Sequence, residues 1–271
     1  VPELPEVETV VRTLRPGLLG RRILSVDVPA PAAVGGKAAA FAKAVAGATI
    51  LAVRRRAKLV LMDLDTGAIL AAHLKMTGRL LVKSAHEPHR HDRVRLSLDS
   101  GDVLVFADMR TFGSFRHFPP GTIDAWPFYR DLGPEPLDMA EEDFVARLSR
   151  RGAAVKALLL DQKVVAGIGN IYADESLFRA RIHPAARASD LSPERLRRLF
   201  AEVRAVLLQA IAENGSSVRD YLDADGNAGA FQNSILAYGK GGEPCPVCGA
   251  KMKVTKVAGR TSTFCGKCQR K

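Results

Sequence analysis

The sequence predicts an α+β protein of more than one domain, and three observations carry that reading. Apolar and polar residues alternate, with tight turns, through much of the first half. Beyond about residue 140 the apolar spacing becomes helical. All four cysteines then fall within the last 27 residues. A chain of 271 residues has room for one large or two medium domains, and 47 % apolar content is enough for a packed core.

The elements follow in order. From about Pro5 to Leu19, Val7, Val10, Val11, Leu14 and Leu18 share one helical face, and Gly17 and Gly20 are expected to end the helix. An Ala-rich stretch near residues 30–48 carries little signal. Leu59–Leu64 then reads as a strand that turns at Asp65-Thr66-Gly67 into Ala68–Ala71. Val94, Leu96 and Leu98 alternate with Arg93, Arg95 and Ser97, and Asp99–Asp102 turns the chain back into Val103–Phe106. Short strands of this kind predict an antiparallel sandwich or barrel. Leu132–Leu137, with Gly133, Pro134 and Pro136, is stiff and helix-averse, and it reads as a linker. Glu141–Leu148, Val155–Asp161 and Asp174–Phe178 are candidate helices. A longer helix starts at Ser192 as N-cap, buries Leu196, Leu199, Phe200, Val203, Val206, Leu207, Ala210 and Ile211, and closes at Gly215. A polar, Gly-rich stretch from Ser216 to Asn233 precedes the cysteines, and no internal repeat is present.

Net charge is +11 and the isoelectric point about 9.8, which suits a polyanionic partner such as nucleic acid or an anionic membrane. No apolar run reaches the length of a membrane span, and the start has no signal-peptide pattern. An intracellular protein is expected. The cysteines form Cys245-x2-Cys248 and Cys265-x2-Cys268, a spacing that fits a four-cysteine zinc site on two knuckles. Two disulfides would be out of place in a reducing compartment. From Lys240 onward six lysines and two arginines face one acid, Glu243, which suits a phosphate-binding surface, although a solvated structural appendage would carry the same charge.

The start, Val1-Pro2-Glu3-Leu4-Pro5-Glu6-Val7-Glu8, carries chemistry if Val1 is removed or is an initiator written as valine. Pro2 would then present a secondary amine, which condenses with an aldehyde to give an iminium cation. A terminal amine titrates at about 8, against about 10.4 for lysine, so more of it is nucleophilic at neutral pH. Glu3 and Glu6 lie within reach. The plainer alternative is a helix-start proline with acids in the first turn. Gly167-Ile168-Gly169-Asn170 precedes a helical pattern and could approach a phosphate, although a tight turn explains it equally; no dinucleotide fingerprint follows.

Taken together the chain resembles the formamidopyrimidine-DNA glycosylases, bacterial enzymes that excise oxidised purines from DNA. The resemblance runs through Pro2–Glu8, Arg56-Ala57-Lys58, His73–Gly78 and Asp108–Gly113. It continues through Leu132–Leu137, Gly167–Glu175, Tyr238-Gly239, the cysteines and Gly259-Arg260-Thr261, and so covers nearly the whole length. It implies a two-layered β-sandwich behind an N-terminal helix, a helix-two-turn-helix domain and a zinc finger on a β-hairpin. The implied boundaries are a catalytic domain at 1–131, a linker at 132–139, the helical DNA-binding domain at 140–238 and the zinc finger at 239–271.

The resemblance also implies roles. Pro2 corresponds to the nucleophile that attacks C1′ of the damaged nucleotide, and Glu3 to the acid/base at the opening sugar. Lys58 corresponds to a phosphate contact that assists β-elimination, and Arg260 to one that assists δ-elimination. Met76, Arg110 and Phe112 match the trio that fills the space left by an extruded nucleotide; by periodicity alone, Met76 and Phe112 would be core. His91, Arg151 and Asn170 align with DNA contacts. His86, His89 and His91 form a weak alternative metal cluster. Residues 216–233 correspond to a loop that closes over the extruded base. The partner implied is double-stranded DNA with oxidised bases or abasic sites, and one zinc ion is the expected cofactor. The chain is expected to act as a monomer, in the bacterial cytoplasm at the nucleoid. Lys75 departs from the family, where many members have glycine. Two other readings stand beside this one: an endonuclease VIII-type enzyme for oxidised pyrimidines, and a non-catalytic zinc-finger DNA-binding protein.

Overall fold

The computed structural model describes residues 2–217, 224 and 226–271. The chain forms two compact units, Val1–Arg130 with Glu213–Ala230, and Asp131–Ala212 with Phe231–Lys271.

In the first unit, α1 (Leu4–Leu18) buries Val7, Val10, Val11, Leu14 and Leu18, the predicted face. Gly17 lies inside this helix, where an added Cβ would stand 3.2 Å from Val82; it serves close packing and not termination. Gly20 alone takes left-handed backbone at the exit, with φ of +73°. The Ala-rich stretch folds into a 3-10 turn, Pro31–Val34, and α2 (Ala38–Val45). Eight strands follow the first helix: β1 (Ile23–Asp27), β2 (Ile50–Arg56), β3 (Leu59–Leu64), β4 (Ile69–His73), β5 (Gly78–Lys83), β6 (Asp92–Leu98), β7 (Val103–Asp108) and β8 (Ser114–Phe118). A short helix, α3 (Pro127–Arg130), ends the run.

The strands form two four-stranded antiparallel sheets, ordered β1-β6-β7-β5 and β2-β3-β4-β8, so the sandwich prevails over the barrel. Val94, Leu96 and Leu98 are buried while Arg93, Arg95 and Ser97 are half-buried, as the alternation predicts. Val60, Met62, Leu70, Leu80, Leu96, Phe106 and Phe115 share one core with the apolar face of α1. The helix packs on β2, β3 and β5, which fixes its N-terminal end beside the β2–β3 hairpin.

The second unit contains α4 (Glu141–Ser149), α5 (Val155–Leu160), α6 (Asn170–Arg179) and α7 (Pro193–Ala212), then the hairpin of β9 (Lys253–Val257) and β10 (Arg260–Phe264). All eight residues of the predicted α7 stripe are buried, and the helix packs on α4 and α6. Ser192 Oγ accepts the Arg195 N–H at 3.3 Å, the expected cap. The α6 helix begins four residues before its predicted start, because Gly169 serves as N-cap. Leu132–Leu137 packs within this unit: Gly133 N–H donates to the Gln162 carbonyl at 2.8 Å, and Arg204 holds the carbonyls of Pro136 and Leu137. Of the expected closing loop, residues 218–223 and 225 lie outside the described residues. Among the described residues, no helix is long and apolar enough to cross a membrane.

Candidate active site

Pro2 is buried and immediately precedes the first helix. Glu3 is its N-cap and is only 4 % exposed. The Glu6 carboxylate returns to accept the Glu3 N–H at 2.8 Å, closing a capping box. Its other oxygen accepts the Ser216 N–H at 2.8 Å. Glu6 is therefore an anchor between the helix start and the 213–217 segment, a role its charge did not reveal. Gly215 makes the approach possible: an added Cβ would lie 2.9 Å from Glu6 Cγ, and the backbone there has φ of +78°.

Lys58 sits at the tip of the two-residue turn between β2 and β3. Ala57, just before it, has φ of +52°. Arg55 ties this turn to the helix: Nε donates to Glu8 Oε2 at 3.0 Å and Nη1 to the Ala57 carbonyl at 3.1 Å. One guanidinium thus links the second turn of α1 to the residue preceding Lys58. His73, at the end of β4, is pushed down to about 3 by burial, with Lys75 and Lys58 adding to the shift. It is neutral at physiological pH and accepts the Lys75 N–H through Nδ1 at 3.0 Å.

Met76, Arg110 and Phe112 form one exposed cluster. Arg110 Nη1 lies 3.2 Å from Met76 Sδ, and its guanidinium stacks 4.8 Å from the Phe112 ring centroid. Phe112 is 56 % exposed and Met76 37 %, so the core placement that periodicity favours for them is wrong. Exposed apolar side chains held beside a forked donor suit insertion into a base stack. Beneath the cluster, buried Asp108 accepts the N–H groups of Arg110 at 3.1 Å and Gly113 at 2.7 Å, and the hydroxyl of Thr77. That single carboxylate sets both loops that carry the trio.

Half-buried His91 is bound to the same frame, since its carbonyl accepts the Asp108 N–H at 2.9 Å. Its pKa is lowered by desolvation and then by Arg90 and the neighbouring His89. The three histidines do not form a metal cluster: His86 pairs with Asp92 at 2.7 Å, and His91 accepts from Arg90. Lys75, like Ala57, is left-handed, with φ of +52°. Glycine adopts that backbone freely, so lysine here carries a strain that glycine would avoid. Six described non-glycine residues have positive φ, and four of them, Ala57, Lys75, Thr111 and Ala258, lie within two residues of a predicted site residue. Backbone strain therefore concentrates where the predicted contacts are presented.

In the second unit, exposed Arg260 opens β10 after the Ala258-Gly259 turn. Asn170 begins α6, and its Nδ2 donates to the Thr261 carbonyl at 3.0 Å. Asn170 is thus joined to the Arg260 hairpin, while Arg151 is exposed beyond the end of α4 with Nε on the Arg147 carbonyl. Gly167 N–H bonds the Gln162 side chain at 2.9 Å, so the Gly-x-Gly segment is a braced turn leading into α6. A buried pair missed in the sequence supports the hairpin. Lys156 Nζ lies 2.6 Å from Asp174 Oδ1 and donates to the Thr261 carbonyl at 3.0 Å and to Ser262 Oγ at 2.7 Å. The Thr263 N–H reaches Asp174 at 3.2 Å. Burial pushes Asp174 up to about 6 against the pull of Lys156. Glu175, fully buried, accepts the N–H groups of Leu236, Ala237 and Tyr238 at 2.8–2.9 Å. A lysine within the apolar run Val155–Leu160 was the one visible hint of this network.

Cys245, Cys248, Cys265 and Cys268 hold their sulfurs within 4.8 Å of one another. Cys248 and Cys265 are 3.5 Å apart and Cys245 and Cys268 4.0 Å. A tetrahedral zinc with bonds of about 2.3 Å needs sulfurs about 3.8 Å apart, so the set fits one structural zinc ion. Gln269 braces it, accepting the Cys265 N–H at 2.8 Å and donating to the Ile182 carbonyl at 2.9 Å.

A β-sandwich that carries the exposed Met76–Arg110–Phe112 cluster, a helical unit and a basic four-cysteine hairpin suit a nucleic-acid-binding protein with a structural zinc site. Comparison with known proteins narrows this. Residues 1–115 match the family described as "Formamidopyrimidine-DNA glycosylase N-terminal domain", 132–221 the "Formamidopyrimidine-DNA glycosylase H2TH domain", and 242–270 the "Zinc finger found in FPG and IleRS". The formamidopyrimidine-DNA glycosylase of Nitratidesulfovibrio vulgaris is 40 % identical over 100 % of both chains, and that of Geobacillus kaustophilus 43 %, again over 100 % of both. The crystal structure of the MutM (Fpg) protein of Thermus thermophilus is similar at a TM-score of 0.89, with 42 % identity over 99 % of this chain and 98 % of that one. The Lactococcus lactis Fpg in complex with DNA containing an abasic site is similar at a TM-score of 0.91, with 34 % identity over 99 % and 100 %. The chain belongs to the formamidopyrimidine-DNA glycosylase family, and it is a base-excision-repair glycosylase with AP lyase activity.

Proposed function

We propose that this protein excises oxidised purines, 8-oxoguanine and formamidopyrimidines, from double-stranded DNA and cuts the strand at the resulting or pre-existing abasic site. The observation that carries the reading is the Glu8–Arg55–Ala57 link, which ties the Lys58 turn to the helix that Pro2 and Glu3 begin. The Lactococcus lactis relative, solved with abasic-site DNA and, as a point mutant, with Fapy-dG-containing DNA, supports the substrate class.

The proposed chemistry requires Val1 to be absent, so that Pro2 has a free amine. Its nitrogen attacks C1′, the C1′–base bond breaks, and the base leaves with the electron pair and takes up the proton that the nitrogen loses. Glu3 protonates the ring oxygen as the sugar opens, which leaves an iminium between Pro2 and C1′. Loss of a C2′ proton expels the 3′-phosphate, with Lys58 beside it. A second elimination expels the 5′-phosphate beside Arg260 and leaves a one-nucleotide gap. Met76, Arg110 and Phe112 fill the vacated stack, while His91, Arg151 and Asn170 hold the backbone. Zinc is structural and enters no step. The protein acts as a monomer, in the cytoplasm at the nucleoid.

Borohydride reduction tests this on duplexes that carry 8-oxoguanine or thymine glycol. The expected result is a covalent adduct with the 8-oxoguanine duplex, sharply reduced by Pro2→Gly. Preferential trapping on thymine glycol, or an undiminished adduct from Pro2→Gly, would overturn it.

A further inference from the structure

A second basic surface lies in the helical unit, between the start of α7, the end of α6 and the cysteine knuckles. It is a groove of two adjoining lobes, about 560 and 610 Å³, that share Arg181, Val247 and Cys268. Arg195, Lys267 and Arg270 line one lobe, and Arg179 and Arg198 the other, where Glu202 is the single acid. Among the described residues, none of these six cations is paired with a carboxylate. Among the described residues, Arg179 Nε is buried without a hydrogen-bond partner, so this guanidinium is not fully engaged by the protein. Arg195 and Arg198 each use one nitrogen on a backbone carbonyl, of Arg270 at 2.8 Å and Arg179 at 3.2 Å, which orients the rest of each fork. The floor is partly apolar, with Val247 61 % exposed and Leu236 half-buried.

We propose that this groove docks an acidic peptide segment of a partner protein, one that carries an aliphatic or aromatic side chain among its carboxylates. Its position argues against lesion DNA as the occupant. Asn170 starts α6 and Arg179 ends it, about 13 Å apart along the helix axis. Arg260 opens β10, and the knuckle cysteines follow its far end, about 17 Å away along the strand. The groove thus lies at the opposite ends of the two elements that present the DNA contacts. A duplex also offers convex rows of phosphates and little exposed apolar surface for Val247 and Leu236 to cover.

Fluorescence anisotropy of a labelled Asp/Glu peptide bearing one Leu and one Phe tests this on the full chain, with saturating abasic-site duplex occupying the DNA surface. Binding should persist with duplex present. Arg195→Glu/Arg198→Glu should weaken it about tenfold, as expected for charge reversal in a complementary interface. Val247→Ser should weaken it less, and both should leave strand cleavage at 8-oxoguanine intact. Arg195→Gln/Arg198→Gln keeps donors for the two carbonyls and serves if the reversal fails to fold. Displacement of the peptide by the duplex, equal competition by an oligothymidylate of the same charge, affinity indifferent to these substitutions, or cleavage lost in step with binding would each overturn the proposal.

Discussion

The hairpin that carries Lys58 and the hairpin that carries Arg260 both turn through a left-handed alanine, Ala57 at φ +52° and Ala258 at +50°. Each presents a cation at or just after the turn, and the two differ in what stands behind it. The β2–β3 pair continues through β4 into β8, in a four-stranded sheet over an apolar core. The β9–β10 pair is a sheet of two strands. An isolated two-stranded hairpin is marginal in water. This one is supported by a zinc site at its base and by the buried Lys156–Asp174 pair against its backbone. The same local device can thus rest on ordinary burial or on concentrated polar bonding, and the second support fails more abruptly.

The largest expected effect follows from that contrast. Lys156→Met should destabilise the protein by about 3–5 kcal/mol, because it leaves a buried carboxylate unpaired and frees the Thr261 carbonyl. Arg55→Met, which removes a part-buried pair over an intact sheet, should cost about 1–2 kcal/mol. Chemical denaturation of both variants measures the difference; equal losses would remove the distinction between the two supports.

Acid titration separates the units by sign. His73 has its folded pKa depressed from 6.5 to about 3, so over that window the unfolded chain binds the extra proton. Its contribution to stability is lost as pH falls. Asp174 is raised from 3.8 to about 6, so over that window the folded protein binds the extra proton. Its contribution is lost as pH rises through it. Asp174→Asn should therefore steepen the loss of stability between pH 6 and 4, and His73→Gln should flatten it. Denaturation midpoints across that range that shift the other way would contradict both assignments.

The smallest effect tests what the hairpins share. Ala57→Gly and Ala258→Gly should each stabilise by about 0.5–1 kcal/mol, since relief of about 1–2 kcal/mol of left-handed strain outweighs the greater chain entropy of glycine. Thermal melts should rise slightly and alike for both; a fall in either would show that its alanine is not strained.

Much of this architecture was legible in the sequence, and the exceptions share a physical cause. The α1 and α7 stripes, the β6–β7 alternation and the cysteine spacing each pair one periodic signal with one buried face. The β3 strand is buried at five of its six positions, so it showed as an apolar run without alternation. The β2 strand was obscured by Arg54, Arg55 and Arg56, of which Arg54 is anchored on Asp63 and Arg55 on Glu8. Of the candidate residues, Pro2, Lys58 and Arg260 stood out through motif context, and the groups that hold each one's surroundings did not. Glu6, Asp108, Lys156 and Glu175 look like solvated charges in sequence, and their buried hydrogen bonds appear only once distant segments meet.

Peptide mapping of the borohydride-trapped adduct by mass spectrometry asks most directly whether the start of α1 performs the chemistry. The reduced deoxyribose fragment should sit on the nitrogen of Pro2, in chains that begin at that residue. An adduct mapped to Lys58, or one formed by chains that still carry Val1, would contradict it.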